Sequence, residues 1–394
     1  MKPFVYSALT TTTLLAAPSL LSAQATTGQP MKSVPSVVVT LENVQPGAGV
    51  FLTPPWVGIH DGTFDSYDGG SPASVPLGGN EIEALAEDGN NGPITATFDV
   101  LQPGAPQVGA AVGPSGPLAP GQRVSFTLNV DPLQNRYFSY GSMVIPSNDT
   151  FIANGNPLAH QLFDATGAFV GQSFIVSGDE TNDAGTEVND EIAGNVAFLA
   201  QPGPNIGVTE SLPVTTPSGG FAAPGTLMFP NGVLNHPGFM NADFNDADDR
   251  LLKVSFRYVD LGMTTAFQAT LSNDQEVQAD VVDSGASGMA LLRSRGAINL
   301  GVMASTEGLS GPITMAHLHL AQAGFNGDVI VDLGAGIMGD DVRFMVTAAD
   351  LTGPMAGASF VDFLNEVAAG NVYINIHTAQ FPAGELRGQV TLSK

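Results

Sequence analysis

The chain has 394 residues, and its 37 acidic residues against 12 basic ones give a formal net charge of −25. Such a surface repels phosphate groups, which argues against nucleic acid and anionic lipid as partners, and it attracts divalent cations. The sequence contains no cysteine. Disulfides and a cysteine nucleophile are therefore excluded, and the composition fits a bacterial exported protein.

The N-terminus has the pattern of a secretory signal peptide. Lys2 supplies a positive charge, an apolar, Thr-rich stretch covers residues 4–21, and Ala23-Gln24-Ala25 is a small-x-small cleavage site. We expect residues 1–25 to be removed and the mature chain to be periplasmic, held at the cell surface or secreted. No later segment is apolar enough to span a bilayer, so we expect no membrane insertion after cleavage.

After a predicted polar linker over residues 26–35, short apolar segments alternate with turns rich in Gly and Pro. This is the pattern of β-sandwiches, because 47 glycines and 28 prolines interrupt the chain at short intervals. A helix is predicted over residues 80–90, ending at Gly89. Strands are predicted at 36–44, 94–100, 124–130, 137–145, 168–176 and 251–259.

The second half repeats the strand pattern, and it contains one further predicted helix over residues 358–370. The predicted strands are 267–272, 288–297, 297–306, 314–321, 327–334, 342–349, 371–378 and 386–392. We predict an all-β fold of two antiparallel β-sandwich domains in tandem, over residues 36–260 and 264–394, with one or two short helices. Residues 200–230 are either a linker or, as we favour, a long loop of the first domain.

The first half resembles the spondin N-terminal domain family over roughly residues 36–260. The segments that carry the resemblance are PPWVGIHDGTFDSYDGG (54–70), EIEALAEDGN (81–90), YFSYGSMVIPSNDTFIANG (137–155) and DAGTEVND (183–190). The resemblance implies an antiparallel β-sandwich with Ca²⁺ at one end, and it assigns Asp149, Asp183 and Glu187 to the metal. Glu187 departs from the family, where we expect Asp. The alternative is a set of solvated turn carboxylates.

The second half resembles the CHRD domain, known from chordin, over about residues 265–393. The segments are FQATLSNDQEV (267–277), MAHLHLAQAGFNGDVIVDLG (315–334), ADLTG (349–353) and NVYINIHTAQFPAGELRGQV (371–390). The biochemical activity of this family is poorly defined. The resemblance therefore implies a fold rather than a function.

Three histidines of the second half form a possible Cu or Zn site. His317 and His319 are two residues apart in one predicted strand, so both imidazoles point to the same face, and His377 lies in another. If the two strands are neighbours, three nitrogens suffice for a metal site with an open position. The alternative is a trio of half-buried histidines that bond to loop carbonyls or to Glu385. Glu385 and Arg387 share a strand face, which predicts an ion pair or a turn brace.

These patterns favour a binding protein over an enzyme, because the sequence lacks the G-x-S-x-G, H-E-x-x-H, P-loop and G-x-G-x-x-G motifs. We expect an exported adhesion or matrix-type protein that binds an extracellular protein or glycan and whose first domain is stabilised by Ca²⁺. The alternative is a redox or metal-handling protein that holds copper or zinc on the three histidines.

Overall fold

Short antiparallel strands dominate the fold. The structure is a computed structural model, and it describes residues 34–393 except 115, 191, 198, 217, 219–236, 243, 245–246 and 279–281. The predicted signal peptide lies outside the described residues. Every strand pair that is assigned in the described part is antiparallel. The prediction of an all-β fold is confirmed.

The first half contains two sheets and two helices within the described residues. The elements are β1 (Pro35–Asn43), β2 (Phe51–Leu52), β3 (Trp56–His60), α1 (Glu81–Asp88), α2 (Gly92–Leu101), β4 (Gln107–Val108), β5 (Arg123–Asn129), β6 (Tyr137–Ile145), β7 (Thr150–Ala153), β8 (His160–Gln161), β9 (Phe174–Ser177), β10 (Asn182–Asp183) and β11 (Arg250–Asp260). One sheet has the order β5-β1-β11-β9. The other has the order β10-β7-β6-β3-β4, and β2 and β8 also pair with β6.

The second half forms one ten-stranded sheet and one helix in the described part of the chain. The elements are β12 (Ala266–Ser272), β13 (Ser287–Arg295), β14 (Asn299–Glu307), β15 (Ile313–Leu320), β16 (Asp328–Asp332), β17 (Ile337–Met338), β18 (Asp341–Thr347), α3 (Phe360–Ala369), β19 (Val372–Thr378), β20 (Leu386–Gln389) and β21 (Thr391–Leu392). The strand order is β16-β15-β19-β20-β12-β13-β14-β18-β17, and β21 pairs with β12.

The single turns of 3-10 helix connect strands and loops. They lie at Gly178–Glu180, Ala193–Asn195, Pro237–Phe239, Asn273–Gln275, Gly334–Gly336, Ala348–Asp350 and Gly353–Met355.

Each half has an apolar core, and two residues of the first half, Val38 on β1 and Val259 on β11, join the core of the second half. In the second half, Ile330 on β16 and Val342 on β18 belong to the same buried cluster as Phe363 on α3, so the long sheet curves around a shared core. In the first half, the two sheets pack on each other through a cluster that includes Leu41 and Phe138. On strands such as β12, apolar residues that face the core alternate with residues on the opposite face.

A separate aromatic core lies under the helices α1 and α2. The rings of Trp56 and Phe64 contact Phe98 with centroid distances of 5.3 and 4.9 Å. Gly58 on β3 permits this approach, because a Cβ atom at that position would lie 2.7 Å from Phe98 Cε2. Ile94 is buried in the same cluster.

The predicted strand at residues 94–100 is wrong, since this segment is part of α2. Its buried residues, Ile94 and Phe98, are four apart, as on one face of a helix, whereas a strand would have buried Val100, which is 78% exposed. Pro93 lies in the first helical turn, where its missing N–H costs nothing. The predicted strand at 168–176 is also too long, because β9 begins only at Phe174.

The two predicted helices are confirmed as α1 and α3, and Gly89 and Gly370 end them in the left-handed conformation. The described part of the 200–230 segment folds back on the first half, where Thr215 bridges Asp183 and Val214 joins the aromatic core. Among the residues that the structure describes, no helix has the length and apolar character needed to cross a membrane.

The aromatic core generates a prediction about stability. Replacing Phe98 by Ala deletes a fully buried ring and should lower the free energy of unfolding by about 3–5 kcal/mol. Urea denaturation followed by tryptophan fluorescence measures this change, because Trp56 is the single tryptophan of the chain and contacts the ring.

The matched control is Val100→Ala, which truncates an exposed side chain of the same helix and should change the free energy of unfolding by less than about 0.5 kcal/mol. Equal effects of the two substitutions would contradict the placement of residues 92–101 in a helix.

Candidate functional site

The pairing of β15 with β19 positions the histidines. In this antiparallel register, His317 lies opposite Asn375, His319 opposite Tyr373, and His377 opposite Met315. Ala316 and Leu318, which alternate with the histidines, are fully buried in the core. The imidazoles therefore project from the other face of the sheet, as the i, i+2 spacing predicts.

The structure brings the three imidazoles together. His317 Nδ1 lies 3.2 Å from His377 Nε2, and one ring nitrogen from each of the three histidines lies within 4.8 Å of the others. His377 is buried, whereas His317 and His319 are half-buried. Among the residues that the structure describes, no other group of three or more His, Asp or Glu side chains has ligand atoms at such distances.

Backbone carbonyl groups orient two of the three rings. His319 Nδ1 lies 3.0 Å from the carbonyl oxygen of Gly327, and His377 Nδ1 lies 3.1 Å from that of Pro382. A carbonyl oxygen only accepts, so each Nδ1 carries the proton and each Nε2 holds the lone pair. His319 Nε2 is buried and has no hydrogen-bond partner. Metal-binding histidines are commonly held in this way.

The environment keeps the imidazoles neutral. Burial, with a smaller contribution from His317, lowers the pKa of His377 to about 4. Burial also lowers the pKa of His317 and that of His319. A neutral imidazole is the form that binds a metal ion, so no proton has to be displaced near neutral pH.

A stack of side chains supports His319 from one side. The Tyr373 ring lies parallel to the imidazole at a centroid distance of 4.7 Å, and the Arg387 guanidinium lies 3.5 Å from the centre of the Tyr373 ring. Arg387 is buried and donates hydrogen bonds to Asn326 and to the carbonyl oxygen of Phe325. This stack was not predicted from the sequence, because the aromatic residue in NVYINIHT has no distinguishing signal.

The predicted ion pair between Glu385 and Arg387 is wrong, and the turn brace is correct for Glu385. The Glu385 carboxylate accepts hydrogen bonds from Ser310 N at 2.8 Å, Ser310 Oγ at 2.7 Å and Thr378 Oγ1 at 2.6 Å. It therefore fixes the turn that follows β19. Arg387 instead donates hydrogen bonds to the loop that follows β15.

The three acidic residues of the first half that were assigned to calcium are buried rather than solvated. Asp149 is fully buried, and its Oδ2 accepts hydrogen bonds from the backbone N–H groups of Thr186 and Glu187 at 2.9 and 3.1 Å. Asp149 Oδ1 and Glu187 Oε2 are buried and have no hydrogen-bond partner. Asp183, by contrast, accepts from Gly185 N and from Asn189 Nδ2. The calcium assignment of these three residues stays a prediction.

Burial and mutual repulsion disfavour negative charge in this acidic cluster. Burial, followed by the repulsion of Asp183, raises the pKa of Asp149 to about 6. Burial and the charge of Glu87 raise the pKa of Glu187 to about 8, and burial raises that of Glu87 to about 7. Glu87 on α1 also belongs to this cluster, and it was not predicted from the sequence. It is one of several acidic residues of the helix, and nothing in the sequence shows that it is buried.

Comparison with known proteins gives one match. Residues 267–390 match the family model of the CHRD domain, a domain type typical of extracellular proteins. No curated protein and no solved structure matches the chain. The matched range includes His317, His319 and His377. The region that brings the three histidines together therefore matches the CHRD domain.

Proposed function

We propose that this chain is an exported binding protein whose CHRD domain holds one copper or zinc ion on His317, His319 and His377. The observation that carries the proposal is the meeting of three ring nitrogens within 4.8 Å of one another. Copper and zinc both accept imidazole ligands, and three protein ligands leave a position open for water or for a ligand from outside.

The hydrogen bonds around the trio favour metal binding over simple packing. Burying the lone pair of His319 Nε2 without a partner costs roughly 1–3 kcal/mol. A bound cation would remove this cost. The bonds from His319 and His377 to backbone carbonyl groups already fix the tautomers that a metal requires. We infer a redox or metal-handling role for this half.

The metal proposal predicts a stoichiometry. The full chain, purified without added metal and then dialysed against a slight excess of Zn²⁺ or Cu²⁺, should retain about one ion per chain by elemental analysis. His319→Ala should reduce the affinity by more than the roughly 10–100-fold that the loss of a supporting hydrogen bond costs, since it removes a direct ligand. Isothermal titration calorimetry measures the affinity.

His160→Ala is the matched control. His160 is also half-buried and also stacks on an aromatic ring, with its centroid 3.7 Å from that of Phe174, but it lies in the first half. Its removal should leave metal binding unchanged. Retention of a full equivalent of metal by His319→Ala, or its equal loss in His160→Ala, would refute the three-histidine site.

A second function is favoured by the buried carboxylates of the first half. We infer that Asp149 and Glu187, with Asp183, bind Ca²⁺ and thereby hold the loops at this end of the first domain in one conformation. The two buried oxygens without partners support this assignment. These loops would present the adhesion surface for an extracellular protein or glycan.

The calcium proposal predicts a change in melting temperature. At a free Ca²⁺ concentration about 100-fold above the dissociation constant, binding should stabilise the fold by about 2.7 kcal/mol, or roughly 3–4 °C for a chain of this size. Differential scanning calorimetry with and without EDTA measures this increment, which Asp149→Asn should abolish.

Asp164→Asn serves as the control, because Asp164 is an acidic turn residue of the same half whose oxygens bond to its own loop. It should keep the calcium increment. Identical melting curves of the wild-type chain in Ca²⁺ and in EDTA would show that the acidic cluster binds no calcium.

A further inference from the structure

A groove of about 330 Å³ lies where the CHRD domain meets the four-stranded sheet of the first half. Two hydrogen bonds join its walls: Asn371 Nδ2 donates to the carbonyl oxygen of Ser125, and Thr127 Oγ1 donates to that of Asn365, each at 2.8 Å. The volume is within the range of sites for small ligands, about 300–1,000 Å³. The groove is thus a fixed feature of the fold, built by both halves.

The charge of this groove is opposite to that of the protein. Its lining residues include two arginines, Arg123 and Arg257, and neither Asp nor Glu, although the chain carries a net charge of −25. Glu42 lies opposite Arg123 in the strand register, but its carboxylate is 3.9 Å from Lys253 Nζ and is not part of the lining. The groove therefore attracts anions that the rest of the surface repels.

Hydroxyl groups lie between the two arginines. Ser125, Thr40 and Ser255 are directly opposite one another on three adjacent strands, and Thr40 Oγ1 is 2.8 Å from Ser125 Oγ. Along the strands, this row is two residues from Arg123 on one side and two from Arg257 on the other. At about 3.4 Å per residue, the two arginines are roughly 14 Å apart along the strand direction.

The opposite wall contains two side-chain amides. Asn371 and Gln389 line the groove, and Asn371 Oδ1 and Gln389 Oε1 are buried and have no hydrogen-bond partner. Both side-chain amides use their N–H groups elsewhere, for example Gln389 Nε2 toward the carbonyl oxygen of Gly370 at 2.8 Å. Because both oxygens are buried, the two amides fix this wall of the groove through their N–H groups, and their oxygens are not accessible to a ligand in it.

We propose that this groove binds a short anionic saccharide. Arg123 and Arg257 pair with carboxylate groups of separate sugar residues, and the hydroxyl row bonds to sugar hydroxyls between them. Arginine suits carboxylate because its planar guanidinium donates two parallel hydrogen bonds. A single inorganic anion cannot reach both arginines, which are roughly 14 Å apart along the strand direction. The proposal deepens the binding role of the proposed function, and it does not depend on either metal site.

The test is isothermal titration of the full chain with trigalacturonic acid, with neutral maltotriose and with sodium sulfate. Trigalacturonic acid should bind, and maltotriose and sulfate should each bind at least about tenfold more weakly, because each lacks one of the two kinds of contact. The double variant R123Q/R257Q should lose at least about tenfold in affinity for trigalacturonic acid. Both arginines are exposed, so the substitutions should leave the melting temperature unchanged.

R295Q is the matched control, since Arg295 is an exposed arginine on β13, outside the groove lining, and its loss should not alter binding. The proposal is overturned if trigalacturonic acid fails to bind, if sulfate binds as tightly, or if R123Q/R257Q retains full affinity. The titration is run on both metal-loaded and EDTA-treated protein. If the protein fails to bind metal but still binds the saccharide, the metal proposals are wrong and the groove proposal stands. If it binds metal but not the saccharide, the reverse holds.

Discussion

The alignment of β15 with β19 is the constraint on which the candidate metal site depends. Backbone hydrogen bonds fix the register of two strands that are about 60 residues apart in the chain, as the separation of His317 and His377 shows. The same register buries Ala316 and Leu318 in the core. A shift by one residue would exchange the buried and polar faces, so the apolar core that stabilises the domain also holds the three imidazoles together.

Burial acts with opposite signs at the two candidate sites. At the histidines it removes a positive charge, because the pKa of His377 falls to about 4, and the neutral rings are ready to bind a metal ion. At the acidic cluster it disfavours negative charge, and the pKa of Glu187 rises to about 8. A cation would compensate for this cost. The groove between the halves differs from both, because its arginines are exposed in an otherwise acidic protein.

Strand periodicity allowed most of the fold to be predicted from the sequence. Apart from the two-residue β17, the strands of the second half from β12 to β19 lie where alternation of apolar and polar residues places them, because one face of each strand packs on the core. Periodicity gave the wrong element at residues 94–100, because Ile94 and Phe98 fit a strand and a helix equally well over so short a segment. The aromatic core, which the local pattern does not reveal, selects the helix.

The candidate site was predictable in part. The i, i+2 spacing of His317 and His319 places both on one face, but their meeting with His377 depends on strand order, which a single sequence does not specify. The stack of Tyr373 and Arg387 and the contribution of Glu87 were missed for the same reason. In each case the partner lies far away in the chain, and only the tertiary fold brings it near.

X-ray absorption spectroscopy of the full chain loaded with one equivalent of Zn²⁺ tests the central claim most directly. The account predicts three imidazole nitrogens at about 2.0–2.1 Å, with the multiple-scattering pattern of histidine rings and a fourth light-atom ligand. A spectrum with one imidazole or none, dominated by oxygen ligands, would contradict the claim that His317, His319 and His377 form a metal site.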